Sequence, residues 1–310
     1  IDYGVPMHDL GIVILNWNTK DLLRRCIETV LASEGNFTFQ VVVVDNASSD
    51  GSADMVRETF PEVTVIASET NGGYPYGNNL GLRELGFQDA GGAAAEAPRY
   101  ALLLNPDTEV PPHGLYEMVK YMDENPGIGV AGPKLMLPDG ALDMACRRSF
   151  PTPEISFYRF SGLSKLFPSS PRFGRYNMTF KDPDEETEVD SVVGAYMQVR
   201  REAIAQVGLL DETFFMYGED LDWAYRIKQA GWTVYYNPKV TVLHVKRAAS
   251  RKSQRAQMEF YRAMLIFYRK HYRRNTPTAL HMLILMGIIA KGGRTMLQEV
   301  RQPTPLQQPI

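Results

Sequence analysis

The sequence of 310 residues predicts an α/β fold: a Rossmann-like, mostly parallel sheet flanked by helices, with a helical C-terminal extension. Two observations carry this prediction. Short, continuously apolar runs, which are typical of strands covered on both faces, alternate with amphipathic stretches of helical periodicity. The composition, 44% hydrophobic and 22% charged, is that of a globular chain with a sizeable core.

Five strands are predicted in the first part of the chain, at residues 11–15, 41–44, 63–66, 100–104 and 128–131. Between them, residues 21–32, 52–60, 78–87 and 113–124 place apolar side chains three and four positions apart, which predicts helices. Ligands of such sheets bind beyond the carboxyl ends of the strands. The residues just after each strand are therefore where we expect the function to lie.

A second block begins at Val189, with a strand predicted at 189–199, helices at 202–207 and 219–230, and strands at 233–236 and 240–244. Residues 151–188 lack sustained periodicity and are interpreted as a cover or a linker. The last 60 residues are predicted to be helical, and one helical face carries Met258, Tyr261, Leu265, Tyr268 and Tyr272. Residues 1–135 and 136–245 are thus interpreted as two halves of one domain, and residues 246–310 as an extension.

Composition and charge exclude several classes of protein. The two cysteines, Cys26 and Cys146, form no Cys-x-x-Cys pair, which argues against a disulfide framework or a thiolate zinc site. The first residues show no secretory signal, and the longest apolar run, residues 279–290, is too short to span a membrane. A cytoplasmic location is therefore expected, either free or peripheral at the inner face of the cell membrane.

Charge is sorted along the chain. Residues 1–245 contain 20 basic and 34 acidic residues, whereas residues 246–274 contain ten basic residues and one acidic residue. The excess of acidic residues in residues 1–245 argues against a nucleic-acid-binding protein. The basic segment is interpreted either as a contact for an anionic surface or as a merely solvated face.

Polar residues follow three of the predicted strands: Asn16 and Asn18, Asp45 and Asn46, and Asn105 and Asp107. Asp45 closes a buried strand, which favours contact with a ligand such as a nucleobase edge, whereas Asp50 favours a helix-capping role. Asp107 follows an apolar strand and is suited to Mg²⁺ or Mn²⁺ with phosphate oxygens. His244 closes a later strand; a lone histidine is more often structural, but together with Asp107 it would complete a cation site.

Residues 71–79 follow the third strand and contain three glycines, which permit a close approach of the backbone to a ligand. Asn71 and Gly72 open the segment. Asn78 or Asn79 is expected to cap the following helix, whose N-terminus favours an anion. An ordinary turn is the alternative interpretation.

Residues 214–223 place Glu219, Asp220 and Asp222 behind a run of aromatic residues at a predicted helix start. Acidic residues there complement the helix dipole, which explains the charge but not the aromatic residues. Burial beside apolar rings raises a carboxylate pKa towards the range in which it accepts a proton usefully near neutral pH. Neighbouring helical residues point in different directions, so Glu219 and Asp220 are expected to have different roles.

Five segments in this order, residues 13–18, 43–52, 71–79, 104–108 and 214–223, resemble glycosyltransferase family 2, the inverting nucleotide-sugar transferases of GT-A fold, and specifically its rhamnosyltransferase-like branch. The resemblance implies that Asp45 reads the pyrimidine base. It implies that Asp107 is the metal carboxylate of the Asp-x-Asp element, whose first position is Asn105 here, and that His244 is a further metal ligand. Asp220 would be the general base, with Glu219 orienting the acceptor or Asp220.

The resemblance therefore implies a metal-dependent hexosyltransferase that moves a sugar, with dTDP-L-rhamnose as the best candidate donor and UDP-sugars as alternatives. The acceptor would be a saccharide or a polyprenyl-linked saccharide in cell-surface polysaccharide synthesis. Peripheral membrane contact through the extension and a homodimer are further expectations. The expected donor-binding residues are Asn16, Asn18, Asp45, Asn46, Asn71, Gly72, Asn78 and Asn105.

Three other classes were weighed against this function. A metal-dependent nucleotidyltransferase would be expected to show a basic phosphate-gripping loop near the first strand, and none is evident. A noncatalytic nucleotide- or carbohydrate-binding protein would need no pair like Glu219 and Asp220. A dinucleotide-dependent oxidoreductase is disfavoured, because the Gly-x-Gly-x-x-Gly fingerprint is missing after the first strand.

Overall fold

The computed structural model describes residues 8–91, 96–245 and 254–301. Their nine strands form one mixed sheet: β1 (Leu10–Asn16), β2 (Phe39–Asp45), β3 (Thr64–Ala67), β4 (Tyr100–Leu104), β5 (Thr108–Glu109), β6 (Ile128–Met136), β7 (Thr187–Glu188), β8 (Tyr196–Arg200) and β9 (Thr233–His244). The order is β3-β2-β1-β4-β8-β6-β9-β5, with β7 paired to β9.

The sheet is mostly parallel, as predicted. β1 pairs in parallel with β2 and β4, β2 with β3, and β6 with β9. β8 is antiparallel to both β4 and β6, and β5 and β7 are antiparallel to β9. Because β8 lies between β4 and β6, the two predicted halves of the domain contribute to one sheet.

Helices flank this sheet and form the last part of the chain: α1 (Lys20–Leu31), α2 (Ser52–Thr59), α3 (Tyr74–Glu84), α4 (Gly114–Glu124), α5 (Pro153–Phe160), α6 (Leu163–Leu166), α7 (Arg201–Val207), α8 (Glu219–Gln229), α9 (Gln254–His271), α10 (Thr278–Gly292) and α11 (Thr295–Arg301). Short 3₁₀ turns cover Met144–Cys146 and Arg273–Asn275. The predicted helices that became α1, α2, α4, α7 and α8 agree with the structure to within one residue at each end.

Three predicted elements differ from the structure. Residues 189–195 are not strand, because their backbone groups bond to Arg148 and Val234 outside the regular ladder. The strands predicted at 233–236 and 240–244 are one strand, β9, interrupted by a shift in its register with β6. The unpatterned region 151–188 contains α5 and α6.

Close helix-to-sheet packing positions α3 over β1. A Cβ atom at Gly77 would lie 2.3 Å from Leu15, and one at Gly81 would lie 2.5 Å from Val13. Any larger residue at either position would push the helix away from the sheet. The N-terminus of α3 is thereby held at the edge where β1 and β2 end.

The C-terminal extension packs on the sheet domain through α9. Ala263, Ile266 and Phe267 belong to the main core, whereas Leu265 packs with Ile288 and Met296 in a second, smaller cluster. The predicted apolar face of α9 therefore faces mainly the following helices, and a different face meets the domain. In the described parts of the chain, no helix is long and apolar enough to cross a membrane.

Much of the basic segment serves contacts within the protein. Arg262 pairs with Glu259 and Glu299. Arg269 donates to the Val300 carbonyl over 2.5 Å. Residues 246–253, which hold four of the basic residues, lie outside the described part of the chain. The described part of the segment is therefore not the uniformly solvated basic face that the charge count suggested.

Candidate active site

The ends of β1 and β2 form one hydrogen-bonded polar cluster. Asn16 and Asp45 are register partners at the last positions of these strands, and Asn16 Nδ2 donates to Asp45 Oδ2 over 3.0 Å. Ser48 N donates to the other carboxylate oxygen over 2.8 Å. Asp45 is only 3% exposed, so protein donors fix its carboxylate. A second lone pair on each oxygen remains for a ligand.

The loops that follow these strands have strained backbone. Asn18 and Ala47 have φ angles of +53° and +62°, and such residues cluster at ligand sites. Asn18 Oδ1 accepts a hydrogen bond from Ser49 N over 2.8 Å, which ties the two loops together. Trp17 is 56% exposed beside them. The result is a rigid polar rim with one exposed aromatic ring.

Asp50 serves two helix starts. Its carboxylate accepts hydrogen bonds from Lys20 N over 3.0 Å and from Ser52 N over 3.1 Å, the first residues of α1 and α2. The helix-start role favoured by the sequence is therefore what the structure shows.

The segment before α3 connects the end of β2 with the loop that precedes α8. Asn46 Nδ2 donates to Asn71 Oδ1 over 3.0 Å, and Gly72 N donates to Asn46 Oδ1 over 3.2 Å. At Gly73, φ is +94° and a Cβ atom would lie 2.4 Å from the Phe215 carbonyl oxygen, so only glycine fits. Three distant stretches of chain thus meet at one edge of the sheet.

Asn78 and Asn79 do not cap α3, and that prediction is wrong. The helix begins at Tyr74, four residues earlier, with Pro75 in its first turn. Asn78 Nδ2 donates to Tyr74 O over 2.9 Å, and Asn79 Nδ2 donates to Leu210 O over 2.9 Å. Both residues are 1% exposed. Their amides stabilise the helix and its packing, and we do not retain Asn78 as a ligand contact.

Asp107 and His244 come together where β5 pairs with β9. His244 Nε2 lies 3.3 Å from Asp107 Oδ1, and His244 Nδ1 lies 2.8 Å from Asp143 Oδ2 on the other side of the ring. Burial would lower the pKa of His244, but the hydrogen bonds and charges of the two carboxylates outweigh it and raise that pKa. Asp143 thereby fixes the ring with Nε2 directed at Asp107.

The two carboxylates at the start of α8 have different surroundings. Arg148 Nη2 donates to Asp220 Oδ2 over 2.7 Å, and Gly194 N donates to the same oxygen over 3.1 Å. Glu219 Oε2 is buried and has no hydrogen-bond partner among the described residues. Burial, and after it the charge of Asp220, raises the pKa of Glu219 to about 8.

The pair is nearly enclosed. Glu219 is 6% exposed and Asp220 is 5% exposed, so only a small part of each residue is open to a substrate. Burial would lower the pKa of Arg148, but the charge of Asp220 outweighs it and raises that pKa. Arg148 therefore stays charged and bonds to Asp220, whereas its charge only partly offsets the rise in the pKa of Glu219.

Tyr74 marks the place where the acidic residues converge. Its hydroxyl donates to the Gly194 carbonyl oxygen over 2.8 Å. Burial raises the pKa of Tyr74 well above its ordinary value, and the charges of Glu219, Asp220 and Asp107 raise it further. Asp107 and the neighbouring residues Glu219 and Asp220, from two distant parts of the sequence, thus all raise the pKa of one phenol.

Sequence reasoning did not single out Arg148, Asp143 or Tyr74. Tyr74 lies in a segment that its glycines had marked, so a local signal existed. Arg148 and Asp143 show no local pattern, because their partners Asp220 and His244 are 72 and 101 residues away along the chain. Only the tertiary structure identifies these two.

Asp222, the third carboxylate of the cluster, has a structural role. It is fully buried; Arg226 Nε donates to it over 2.9 Å, and Lys270 Nζ lies 2.9 Å and His271 Nε2 2.7 Å from Oδ1. Burial would raise the pKa of Asp222, but the bond from His271 and the charges of Arg226 and Lys270 outweigh it and hold that pKa far below its usual range. Asp222 thereby fastens α9 to the helix that carries Glu219 and Asp220.

We expect Asp222→Ala to lower the free energy of unfolding by about 3–5 kcal/mol, because Arg226 and His271 lose their buried counter-ion and Lys270 keeps only Asp211 among the described residues. Chemical denaturation of the full chain measures the loss. Asp54→Ala is the matched control: Asp54 pairs with Arg57 but its side chain is 77% exposed, so its loss should cost less than about 1 kcal/mol. Equal losses in the two variants would contradict the structural role of Asp222.

The fold and the site together define a glycosyltransferase of GT-A fold. The chain belongs to the glycosyltransferase-like family 2, whose family model matches residues 8–262. It is 30% identical over 238 residues to an N-acetylglucosaminyl-diphospho-decaprenol L-rhamnosyltransferase of Mycobacterium tuberculosis, covering 76% of each chain. The family and the fold class expected from the sequence are therefore confirmed, and the protein is a hexosyltransferase.

Two solved structures share the fold. The first is GalNAc-T7 with UDP, GalNAc and Mn²⁺, with a TM-score of 0.58, 15% identity, and coverage of 96% of this chain and 58% of that one. The second is the mannosyltransferase PcManGT from Pyrobaculum calidifontis in complex with GDP-Man and Mn²⁺, with a TM-score of 0.56, 15% identity, and coverage of 96% and 80%.

Proposed function

We propose that this protein transfers a hexose from a nucleoside-diphosphate sugar to a hydroxyl of a saccharide acceptor with inversion, and that the donor is dTDP-L-rhamnose. The observation that carries the proposal is that residues 194–195 join three parts of the site: the Tyr74 hydroxyl donates to the Gly194 carbonyl oxygen over 2.8 Å, and Gly194 N donates to Asp220 Oδ2 over 3.1 Å. Asn105 N, two residues before Asp107, donates to the Ala195 carbonyl oxygen over 3.0 Å. The activity that names the mycobacterial relative, an N-acetylglucosaminyl-diphospho-decaprenol L-rhamnosyltransferase, supports rhamnose as the sugar and a polyprenyl-linked saccharide as the acceptor. A UDP-sugar donor is the alternative.

The polar rim suits the nucleoside part of the donor. Asp45 is held by Asn16 and Ser48 with lone pairs left over, which fits an acceptor for the N–H of a pyrimidine. Trp17 offers an exposed ring for contact with a base or a sugar. Gly72 is held beside the amide of Asn46, and a Cβ atom there would lie 2.2 Å from the Tyr76 ring, so glycine at this position serves the packing of the rim.

Asp107 and His244 are the residues that would hold a divalent cation. Among the described residues, no group of three or more His, Cys, Asp or Glu side chains forms a metal site, so donor oxygens and water would complete the ligands. Two features fit such a centre. Asp107 Oδ1 and His244 Nε2 are 3.3 Å apart, and the Asp143 carboxylate bonds to the other nitrogen of the His244 ring. When bound, Mg²⁺ or Mn²⁺ would offset charge on the diphosphate leaving group.

The adjacent carboxylates Glu219 and Asp220 supply the base in this proposal. Arg148 neutralises one negative charge, and the unpartnered Glu219 Oε2 leaves the pair able to take up a proton near neutral pH. The acceptor oxygen, once deprotonated, attacks the anomeric carbon from the face opposite the nucleotide, which inverts that centre.

We expect kcat to rise as the pH increases through about 8, because a carboxylate accepts a proton only when it is ionised and the pKa of Glu219 is about 8. Glu219→Gln should remove this rise. The pKa of Glu219 is about 8 in the folded protein, against the ordinary 4.5. The free energy of unfolding therefore falls as the pH rises from about 4.5 to about 8, because the unfolded chain has then lost the proton that the folded protein still holds. Glu219→Gln should therefore unfold at a higher temperature than the wild type at pH about 8.

Initial rates and thermal unfolding between about pH 5 and 9 test both effects. Glu117→Gln is the matched control, because Glu117 lies in the first turn of α4 but is exposed. A wild-type profile that stays flat through about pH 8 would contradict the raised pKa as a catalytic property.

The function itself is tested by incubating the full chain with dTDP-L-rhamnose, UDP-glucose and UDP-N-acetylglucosamine, with and without Mn²⁺. We expect thermal stabilisation and slow donor hydrolysis with dTDP-L-rhamnose. Stabilisation by a UDP-sugar but not by dTDP-L-rhamnose would assign a different donor and leave the glycosyltransferase class unchanged. A lack of binding to any nucleotide sugar would contradict the proposal.

A further inference from the structure

The helix α10 exposes a wholly apolar face. Seven of its residues share that side and are exposed, and none is polar: Ala279, Leu280, Met282, Leu283, Met286, Gly287 and Ala290. Leu283 is 59% exposed and Met286 is 54% exposed. The opposite side packs on α9 and α11 through Ile284, Leu285 and Ile288. A helix that is apolar all round is normally buried all round.

Charge around this face has one sign. The sequence contains no acidic residue between Glu259 and Glu299. Arg274 lies just before α10, and Lys291 and Arg294 lie at its end; all three are exposed. Basic residues flanking an exposed apolar helix complement an anionic lipid surface. Two copies joined through α10 would instead bring like charges together, without acidic partners on the helix.

We propose that the exposed face of α10 lies in the surface of an anionic lipid bilayer, parallel to its plane. The 15 residues of α10 are about 22 Å long, shorter than the roughly 30 Å hydrocarbon core, so the helix rests in the interface. Its apolar side chains enter the acyl region, and its flanking cations meet the headgroups. Since α9 carries α10 and Asp222 fastens α9 to α8, the lipid contact is rigidly joined to the helix that bears Glu219 and Asp220.

Flotation of the full chain with vesicles tests this proposal. Vesicles of phosphatidylcholine with about one-third phosphatidylglycerol should carry the wild-type protein at low salt, more than vesicles of phosphatidylcholine alone. The double variant Leu283→Glu and Met286→Glu should reduce the floated fraction by roughly tenfold or more. Gln298→Glu adds a charge on the exposed part of α11 and should float nearly as the wild type does. Ala290→Glu is a second, milder variant on the same face.

Sedimentation without vesicles and donor binding complete the test. All variants should keep the oligomeric state of the wild type and should bind the nucleotide sugar as the wild type does, which shows that they fold. Failure of the wild type to float with either vesicle at low salt overturns the proposal. A wild-type dimer that Ala290→Glu or the double variant dissociates also overturns it, because the face would then join two copies. Flotation requires no sugar transfer, so this test and that of the proposed function fail separately.

Discussion

Asp220→Asn should lower kcat by roughly 10²- to 10⁴-fold, the contribution of a positioned base, while donor binding stays nearly intact. Asn keeps an oxygen for Arg148 and for Gly194 N, which bond to Asp220 Oδ2 over 2.7 and 3.1 Å, so the local geometry is largely retained. The substitution removes the negative charge of Asp220, one of the two adjacent carboxylates of the base. Product formation gives kcat, and titration calorimetry with the donor gives the affinity.

The matched control for this variant is Asp54→Asn, which makes the same change in the first turn of α2 at an exposed position. It should leave kcat within about twofold of the wild type. Undiminished turnover in Asp220→Asn would reject Asp220 as part of the base. Loss of donor binding together with turnover would show that the residue acts in folding or binding instead.

Asp107→Ala should abolish the part of the donor affinity that depends on Mn²⁺. Of the residues that the structure describes, Asp107 is the only carboxylate that this site would offer directly to the cation, and Ala leaves His244 alone. Asp143→Asn should have a smaller effect, weakening that affinity by about 10–100-fold, because Asp143 only orients the His244 ring from the far side. Donor titrations with and without Mn²⁺ give both effects.

Asp139→Ala is the control for these two variants, since Asp139 lies in the turn that precedes Asp143 and is exposed. It should bind the donor as the wild type does. If the wild type binds the donor equally with and without Mn²⁺, or if Asp107→Ala leaves the dependence unchanged, the metal role of Asp107 is rejected.

The order of the elements follows from local patterns. Burial on both faces of a parallel sheet demands continuously apolar strands, and residues 100–104 accordingly became β4 at their predicted limits. Where the pattern is not local, the prediction was wrong. Residues 189–195 are as apolar as a strand, but their backbone bonds to Arg148 and Val234 prevent a regular ladder. The glycines before Tyr74 indicated a ligand loop, but the start of α3 was placed four residues too late.

The acidic residues at the start of α8 likewise show what a local pattern predicts and what contacts with distant residues decide. The cluster at residues 219–222 was visible in the sequence, but its three carboxylates have three different environments. Asp222 is neutralised by Lys270 and His271 from α9, and Asp220 by Arg148, whereas Glu219 Oε2 has no hydrogen-bond partner in the described part of the chain. No spacing within the cluster distinguishes them, since each environment is set by residues from other parts of the chain.

The sequence by itself determined the α/β fold, the family, and which strand ends carry polar side chains, because periodicity and short motifs are properties of neighbouring residues. The tertiary structure alone decided the partners of the site residues, Asp143 for His244 and Arg148 for Asp220. It alone also decided which apolar face of α10 is exposed. A pKa, an ion pair or an exposed surface depends on which distant residues fold against it, and chain order does not contain that information.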